Sequence, residues 1–262
     1  MDFTISPSPT DQIVFRRYEA ALFPEFQRVF EQVGNQGAFN LLAQPPEEAA
    51  RALVMENRDD KDVTALRYDW VMTHRGGTVR KRTVSYDSYL LEKYHAVLPA
   101  KERKLISRLG AVDESLIDHV LAGGGVIAGG VGDKDSIEEV TSLVFTLDML
   151  LFADGEVVGR DDGKFAVELL CRQRAAEFVG NQIRLAKTES RDVRPVLLAL
   201  AGIPVLGNRQ HPQGDFVAAW VRRYASEYLR AIDHKVDFLR TATLRRLENH
   251  KVLPKYYRSN SH

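Results

Sequence analysis

The stretch VTALRYDWVMTHRGGTVRKRTVSY, residues 63–86, decides the fold class of this chain. In its first half, apolar side chains alternate with mostly polar ones. The apolar set is Leu66, Tyr68, Trp70 and Met72. A period of two places each set on one face, which is typical of a strand buried on one side. Gly76-Gly77 follows, and glycine readily adopts the positive φ angles of tight turns. We therefore predict a β-hairpin with strands at residues 63–74 and 78–86.

Two further segments extend the predicted sheet. Ala50–Glu56 is predicted to form a strand ahead of a polar turn. Val140–Phe152 is apolar on both alternating faces, which fits a central strand, with a buried helix as the rival. The strand is favoured because Asp154-Gly155 follows at once and is a strong hairpin signal. Glu156–Gly159 is the expected returning strand.

A helix is predicted ahead of the sheet, from Gln12 to Val33, and residues 1–12 are an extended lead-in. Apolar residues recur at every fourth position of this helix and form one stripe. They are Val14, Tyr18, Leu22, Phe26 and Phe30. Pro24 interrupts the run, and an interior proline removes a backbone hydrogen bond. Either two short helices or a helix that begins at the proline is therefore expected.

Beyond residue 161 the pattern is helical. The first helix is predicted to carry an apolar face formed by Val167, Leu170, Cys171, Arg174, Phe178 and Ile183. Asp192 is predicted to cap a second helix that ends at Ala201. The last helix is predicted to run from Asp215 to His250. Its stripe consists of Val217, Val221, Tyr224, Tyr228, Ile232, Val236 and Leu239.

The region between the hairpin and residue 140 leaves alternatives open. Residues 100–109 fit either a helix or an edge strand near Leu105–Ser107. Asp113 is predicted to cap a short helix that ends at Leu121. Residues 123–132, GGGVIAGGVG, partly match a dinucleotide-binding fingerprint. That motif requires a preceding strand and a following helix, so a flexible loop is predicted instead.

Together these elements predict an α+β protein in which an antiparallel β-sheet or sandwich precedes a C-terminal helical region. Three regions are expected along the chain. An N-terminal lead-in and helix occupies residues 1–37. The antiparallel β domain occupies residues 38–160 and includes the Gly-rich loop near 123–132. A helical region with a basic C-terminal helix occupies residues 161–262.

Two segments resemble a group of uncharacterised bacterial proteins. They are LVMENRDDKDVTALRYDWVMTHRGGTVRKRTVSYDSYLL at residues 53–91 and LVFTLDMLLFADGEVVG at residues 143–159. In those proteins a polar Asn/Asp turn leads into a strand, a hairpin and a second strand, and a later strand ends in a Phe-x-Asp-Gly hairpin. The resemblance implies an immunoglobulin-like (Ig-like) β-sandwich and implies no activity.

Composition narrows the class of function. The 262 residues include 36 Lys or Arg and 36 Asp or Glu, and this neutral balance argues against a dedicated nucleic-acid binder. The single cysteine, Cys171, excludes an internal disulfide and a multi-cysteine zinc site. No secretory signal and no apolar run of about 20 residues is visible. We predict a cytoplasmic protein without membrane insertion, or a secreted protein whose signal has been removed.

An acidic cluster beside the predicted 154–155 hairpin is the candidate metal site. Its members are Asp154, Glu156, Asp161 and Asp162. Their spacing is similar to a calcium loop, but Val158 and Phe165 stand where that loop needs oxygen ligands. A hairpin turn followed by a helix cap is the simpler interpretation. No metal and no cofactor are therefore predicted.

The C-terminal segment carries a local positive charge. Between Arg222 and His262 there are ten basic and four acidic residues. A basic helix can contact phosphate groups or an acidic partner, although a packed helix with a solvated charged face is the simpler interpretation. The candidate contact residues are Arg222, Arg223, Arg230, Arg240, Arg245, Arg246 and Lys251.

Three functions are predicted, in this order. The first is a non-catalytic interaction protein that binds a protein partner or another copy of itself. The second is a nucleic-acid contact through the basic C-terminal helix. The third is an enzyme with a site between the β and helical regions, near Asp154–Asp162. No catalytic set is recognisable, and Cys171 is interpreted as a small buried apolar residue, which favours the first function.

Overall fold

A computed structural model gives the fold of the chain. It describes residues 2–26, 52–87, 96–107, 110–112, 140–203, 212–234, 247 and 254–257. The chain divides into two compact units. The first unit comprises Met1–Tyr86 and Leu98–Leu150, and the second comprises Asp87–Val97 and Leu151–His262. The described residues form a mixed α/β fold in which strands come first and α-helices follow. The three predicted domain boundaries stay predictions.

Eight strands begin in the described part of the first unit. They are β1 (Asp2–Ile5), β2 (Ile13–Arg17), β3 (Leu53–Asn57), β4 (Val63–His74), β5 (Val79–Asp87), β6 (Arg103–Ser107), β7 (Gly110–Val112) and β8 (Val140–Phe152). In one sheet β4 lies between β8 and β5, and β1 pairs with β8 in parallel. The other sheet has the order β2-β3-β6-β7, with every pair antiparallel.

The predicted β4–β5 hairpin is confirmed. The Gly77 N–H donates to the carbonyl of His74 at 2.8 Å, and the His74 N–H donates to Thr78 at 2.9 Å. Gly77 has φ 79°, a value that glycine adopts without steric cost. The alternation along β4 is confirmed as well, because its four predicted apolar residues are all buried and the residues between them are half-buried.

Aromatic side chains join the two sheets of the first unit. The Phe145 ring, on β8, lies 5.3 Å from Tyr68 and 5.0 Å from Trp70, both on β4. Phe15, on β2 of the other sheet, lies 4.8 Å from the same Phe145 ring, and Phe3 lies 5.8 Å from Trp70. The core of this unit is therefore built around Phe145.

The predicted N-terminal helix is wrong over its first residues. Ile13–Arg17 forms strand β2, which pairs with β3 and places Ile13 opposite Asn57. Branched and aromatic residues such as Val14 and Phe15 favour a strand when a partner strand is available. A short 3-10 helix, Pro24–Phe26, does begin at the proline. Residues 27–33 lie outside the described ranges.

The predicted sheet needs two further corrections. It is not wholly antiparallel, because β1 runs parallel to β8 and the lead-in residues 2–5 thus belong to a sheet. Of the alternatives for residues 100–109, the strand is confirmed over Arg103–Ser107 as β6, but it is not an edge, because it lies between β3 and β7. The predicted helix at 113–121 and the Gly-rich loop near 123–132 lie outside the described residues.

The described part of the second unit contains two short strands and three named helices. They are β9 (Glu156–Gly159), β10 (Tyr256–Tyr257), α1 (Phe165–Thr188), α2 (Val193–Ala201) and α3 (Pro212–Asp233). The two strands pair in parallel. Strands β8 and β9 have their predicted bounds, as does α2, whose Asp192 cap accepts a hydrogen bond from the Arg194 N–H at 3.0 Å. None of the helices in the described ranges is long and apolar enough to cross a membrane.

Helix α3 starts three residues earlier than predicted. Pro212 stands at its first position, where a proline loses no helical hydrogen bond. The predicted stripe is confirmed through Ile232, because Val221, Tyr224 and Tyr228 are buried against α1 and α2. The helix ends at Asp233 and residue 234 is a turn, so the predicted continuous helix to His250 is wrong at that point. The rest of the predicted extension, with Val236 and Leu239, lies outside the described residues apart from residue 247.

The predicted apolar face of α1 is wrong in part. Phe178 and Arg174 are exposed, whereas Ala175, Val179 and Arg172 are buried with Ile183. Small alanine side chains let the helices approach closely, and an arginine can be buried when its charge is neutralised. Hydrophobicity alone therefore mispredicts which side of α1 faces the core.

Phe145→Ala is expected to lower the free energy of unfolding by about 3–5 kcal/mol, because a large buried ring is removed from the centre of the core. Urea unfolding followed by circular dichroism measures this loss. Val79→Ala is the control, since Val79 is 62% exposed, and it should change stability by less than about 0.5 kcal/mol. Equal effects of the two substitutions would contradict the assignment of Phe145 to the core.

Candidate functional site

A buried arginine lies near the N-terminal end of α1. The Arg172 side chain is 7% exposed, and its Nη1 donates to Oδ2 of Asp87, whose side chain is 3% exposed. Its Nη2 and Nε donate to Oε1 of Glu168 at 2.6 and 3.2 Å. Two carboxylates therefore neutralise a guanidinium that is almost completely removed from water.

Two aromatic rings flank this guanidinium. The Arg172 Cζ atom lies 4.2 Å from the centre of the Trp220 ring and 5.4 Å from that of Phe165. Arg223 also approaches Trp220, with its Cζ at 4.6 Å from the ring centre. The face of an aromatic ring attracts a cation through its quadrupole. Trp220 on α3 is thus contacted by one buried and one exposed arginine.

The electrostatics of this cluster raise the pKa of two of its groups, Arg172 and Tyr224. Burial lowers the pKa of Arg172, but Asp87 and Glu168 raise it by more, so the pKa lies above its usual value. Burial raises the pKa of the nearby Tyr224 hydroxyl; Arg172 opposes this effect and Asp87 adds to it. Neither group exchanges protons near neutral pH. The cluster is suited to holding carboxylates in place rather than to acid–base chemistry.

Asp161 caps the start of α1. Its Oδ1 accepts a hydrogen bond from the Phe165 N–H at 2.6 Å, and its Oδ2 accepts one from the Ala166 N–H at 3.2 Å. The Tyr257 hydroxyl donates to the same Oδ2 at 3.0 Å. Asp161 is 7% exposed and has φ 50°, a left-handed conformation that aspartate tolerates better than most residues. The side chain thus links the helix start to the C-terminal strand β10.

The other acidic candidates have local contacts of their own. The Asp154 Oδ1 accepts from the Glu156 N–H at 3.0 Å and so closes the β8–β9 turn. Asp162 forms an exposed ion pair with Arg160 at 3.0 Å. Glu156 is buried in β9. These contacts are those of a hairpin turn and a helix cap, as the sequence suggested. Within the described ranges, no three His, Cys, Asp or Glu side chains are grouped to hold a metal.

Cys171 is buried on α1 and is not part of a disulfide. Its side chain lies on the core side of the helix, as the sequence predicted. Burial raises the pKa of the thiol, which disfavours the nucleophilic thiolate form. The geometry therefore gives Cys171 a packing role.

The structure describes three of the seven basic candidates. Arg222, Arg223 and Arg230 are exposed on α3. The Nε of Arg223 donates to Glu227 at 3.1 Å, one turn further along the helix. The other four candidates, Arg240, Arg245, Arg246 and Lys251, lie outside the described residues. The described arginines are thus accessible, and at least one of them is already paired.

One side of α1 carries exposed apolar residues. Phe178 is 44% exposed and Leu185 is 46% exposed. They are seven positions apart, and this spacing places both side chains on the same side of an α-helix. Arg174 lies four residues before this pair, and Glu189, the C-cap residue of α1, lies four residues after it. Both are exposed, and Glu189 also pairs with the exposed Arg191. We call these four residues the α1 face.

Comparison with known proteins identifies no relative of this chain. No protein-family model, curated protein or solved structure matches this chain.

Sequence reasoning missed the Arg172 cluster. Asp87 and Arg172 are 85 positions apart, so no local motif relates them. The spacing of Glu168 and Arg172 is the one local signal, because residues four apart on a helix are neighbours. That spacing indicates an ion pair between the two side chains, but it does not indicate that Arg172 is buried.

Arg172→Met is expected to lower the free energy of unfolding by about 3–5 kcal/mol, because the Asp87 carboxylate is left buried without its cation. Urea unfolding at neutral pH measures the loss. The matched control is Arg194→Met, which breaks an exposed pair with Asp233 and should cost less than about 1 kcal/mol. Similar losses in the two variants would show that the Arg172 pair is not buried in solution.

Tyr257→Phe is expected to destabilise the protein below pH 10 and to lose this effect at higher pH. Burial and then Asp161 raise the pKa of Tyr257 from 10.0 to about 12. Because the folded state holds the proton more tightly, the stability that the hydroxyl contributes is complete below pH 10 and is lost as pH rises to about 12. Melting temperatures of both proteins across this range test the sign. A difference that grows with pH would contradict it.

Proposed function

We propose that this chain is a non-catalytic interaction protein that associates with a second copy of itself through the α1 face. The observation that supports this proposal is the exposure of Phe178 and Leu185 on one side of a 24-residue helix. Large apolar side chains that recur at a heptad interval are typical of helices that pair with other helices.

The charges of the α1 face favour a second copy as the partner. Arg174 stands at one end of the face and Glu189 at the other, with the two apolar residues between them. A two-fold axis through the middle of the face aligns two copies of α1 in antiparallel fashion. Phe178 then meets Leu185 of the other copy, and Arg174 meets its Glu189. Such self-complementarity is what an isologous dimer requires.

The middle of the α1 face is compatible with this arrangement. Asn181 and Gln182 lie between the two apolar residues, next to the proposed axis. Side-chain amides donate and accept hydrogen bonds at once, so Asn181 of one copy can pair with Gln182 of the other. The contact is small, and we therefore expect a weak dimer that depends on protein concentration.

We also propose, from the resemblance of residues 53–91 and 143–159, that the first unit is an Ig-like sandwich of the kind found in bacterial proteins. Its two sheets and the Phe145 cluster that joins them support this proposal. Such a unit would act as a rigid scaffold rather than as a catalytic domain. A cytoplasmic location also stays a prediction.

A nucleic-acid contact through the C-terminal helix is the second candidate function. The exposure of Arg222, Arg223 and Arg230 on α3 supports it. An enzyme that uses residues 154–162 ranks third, because Asp154 and Asp161 already accept backbone hydrogen bonds in a turn and a cap.

Phe178→Glu is expected to abolish self-association, because the substitution places an unpaired charge against Leu185 of the other copy. Sedimentation velocity over a range of protein concentrations measures the monomer–dimer equilibrium. Leu198→Glu is the control, since Leu198 is 53% exposed on α2, outside the α1 face. A wild-type protein that stays monomeric at every concentration would refute the proposal.

A charge exchange tests the antiparallel arrangement itself. Arg174→Glu and Glu189→Arg should each weaken the dimer, and the double variant should restore it, because the partners are then reversed together. A dimer that the single substitutions do not weaken would rule out the proposed two-fold contact.

A further inference from the structure

The β4–β5 hairpin carries a dense positive charge. Arg75, Arg80, Lys81 and Arg82 lie within eight positions, and no aspartate or glutamate occurs between residues 70 and 86. Every residue from 75 to 81 is exposed, and Arg82 is half-buried. We call residues 75–82 the basic hairpin. It lies outside the C-terminal segment, so it is distinct from the basic residues considered above.

Among the described residues, the tip of the basic hairpin lies beyond the start of its neighbouring strand, β8. The Thr141 hydroxyl, at the start of β8, donates to the Thr73 carbonyl at 3.0 Å. Residues 75–77 form the turn beyond that point, held by the Gly77 N–H bond to His74. The edge strand β5 ends the described order of its sheet. Because residues 75–81 are exposed, a large ligand can approach this two-stranded tip.

The cations lie on both faces of this ribbon. Lys81 forms an ion pair with Asp69 at 2.8 Å, which places it on the polar face of the sheet. Arg80 and Arg82 flank Lys81 and therefore point to the opposite face, because successive side chains of a strand alternate. A ligand that binds both faces must therefore present negative charge to both sides of the ribbon.

We propose that the basic hairpin contacts the phosphate backbone of double-stranded DNA. The major groove of B-form DNA admits a two-stranded β-ribbon and lines it with phosphates on both sides. No aromatic residue occurs among residues 75–82, so the stacking platform that single strands require is lacking there. The major groove of A-form RNA is too narrow for a ribbon. This proposal is independent of self-association through α1.

The contact is expected to be insensitive to base sequence. Arginine and lysine on phosphates fix the position of a protein and do not read bases. Its affinity should fall steeply with salt, because each neutralised phosphate releases bound counterions. The overall neutrality of the chain does not oppose such a contact, since charges farther away than about 8–10 Å are largely screened at physiological salt.

The test is fluorescence anisotropy of a short labelled DNA duplex with the full chain, between about 50 and 200 mM salt. The variant carries Arg75→Gln, Arg80→Gln and Lys81→Gln. We expect weaker binding. The slope of log affinity against log salt concentration should be shallower by about 2.7, which is about 0.9 for each lost phosphate contact. The matched control carries Arg160→Gln, Lys187→Gln and Arg194→Gln, the same change of charge at exposed positions of the second unit, and should keep the wild-type slope.

Three outcomes would overturn the proposal. They are no binding by the wild-type chain, an equal loss in the charge-matched control, and equal or tighter binding to an RNA duplex or to phosphatidylserine vesicles. A companion variant with Arg75→Lys and Arg80→Lys keeps the charge and should keep the salt slope. Unchanged melting temperatures of the glutamine and lysine variants show that a loss of binding does not come from unfolding.

Discussion

Side chains of a β-strand point alternately to its two faces, and the first unit depends on how β4 uses this constraint. One face of β4 presents Tyr68 and Trp70 to the Phe145 ring, and the other presents Arg67 and Asp69 to charged neighbours. A shift of the register by one residue would bury the charged set and expose the aromatic set. The hairpin, the neighbouring strand β8 and the contact with β2 therefore all require the same register. The exposed basic hairpin is the end of the β4–β5 pair that extends beyond the buried core.

The second unit is held together differently. Its helices pack through alanines and aromatic residues, and the buried Arg172 lies between Trp220 and Phe165. A buried ion pair adds little to stability compared with an apolar pair of the same size, but it tolerates few alternative arrangements. We infer that Asp87 and Glu168 define the orientation of α1 about its own axis. That orientation in turn leaves Phe178 and Leu185 exposed on the opposite side.

The sequence predicts the strands of this fold better than the burial of its helices. Strands β4, β8 and β9 and helix α2 were predictable because alternation, turn residues and a cap are local signals. Strand β2 was not, since the four-residue spacing of Val14 and Tyr18 imitates a helix and the pairing with β3 is a long-range contact. The same holds for the candidate site. The caps at Asp161 and Asp192 follow from local spacing, whereas the Arg172–Asp87 pair and the C-terminal strand β10 depend on residues far apart in the chain.

The net charge of the chain is a poor guide to its surface. Lysine and arginine equal aspartate and glutamate in number, yet the described acidic residues are often engaged in caps, turns and ion pairs. Asp161 accepts hydrogen bonds from two backbone N–H groups, and Asp87 is buried against Arg172. Carboxylates used in this way contribute little negative potential at the surface, because the groups that they bind neutralise them locally. The basic hairpin has Asp69 as a near acidic neighbour, paired with one of its four cations. A neutral protein can therefore present a basic surface, and its charge must be assessed by position rather than by sum.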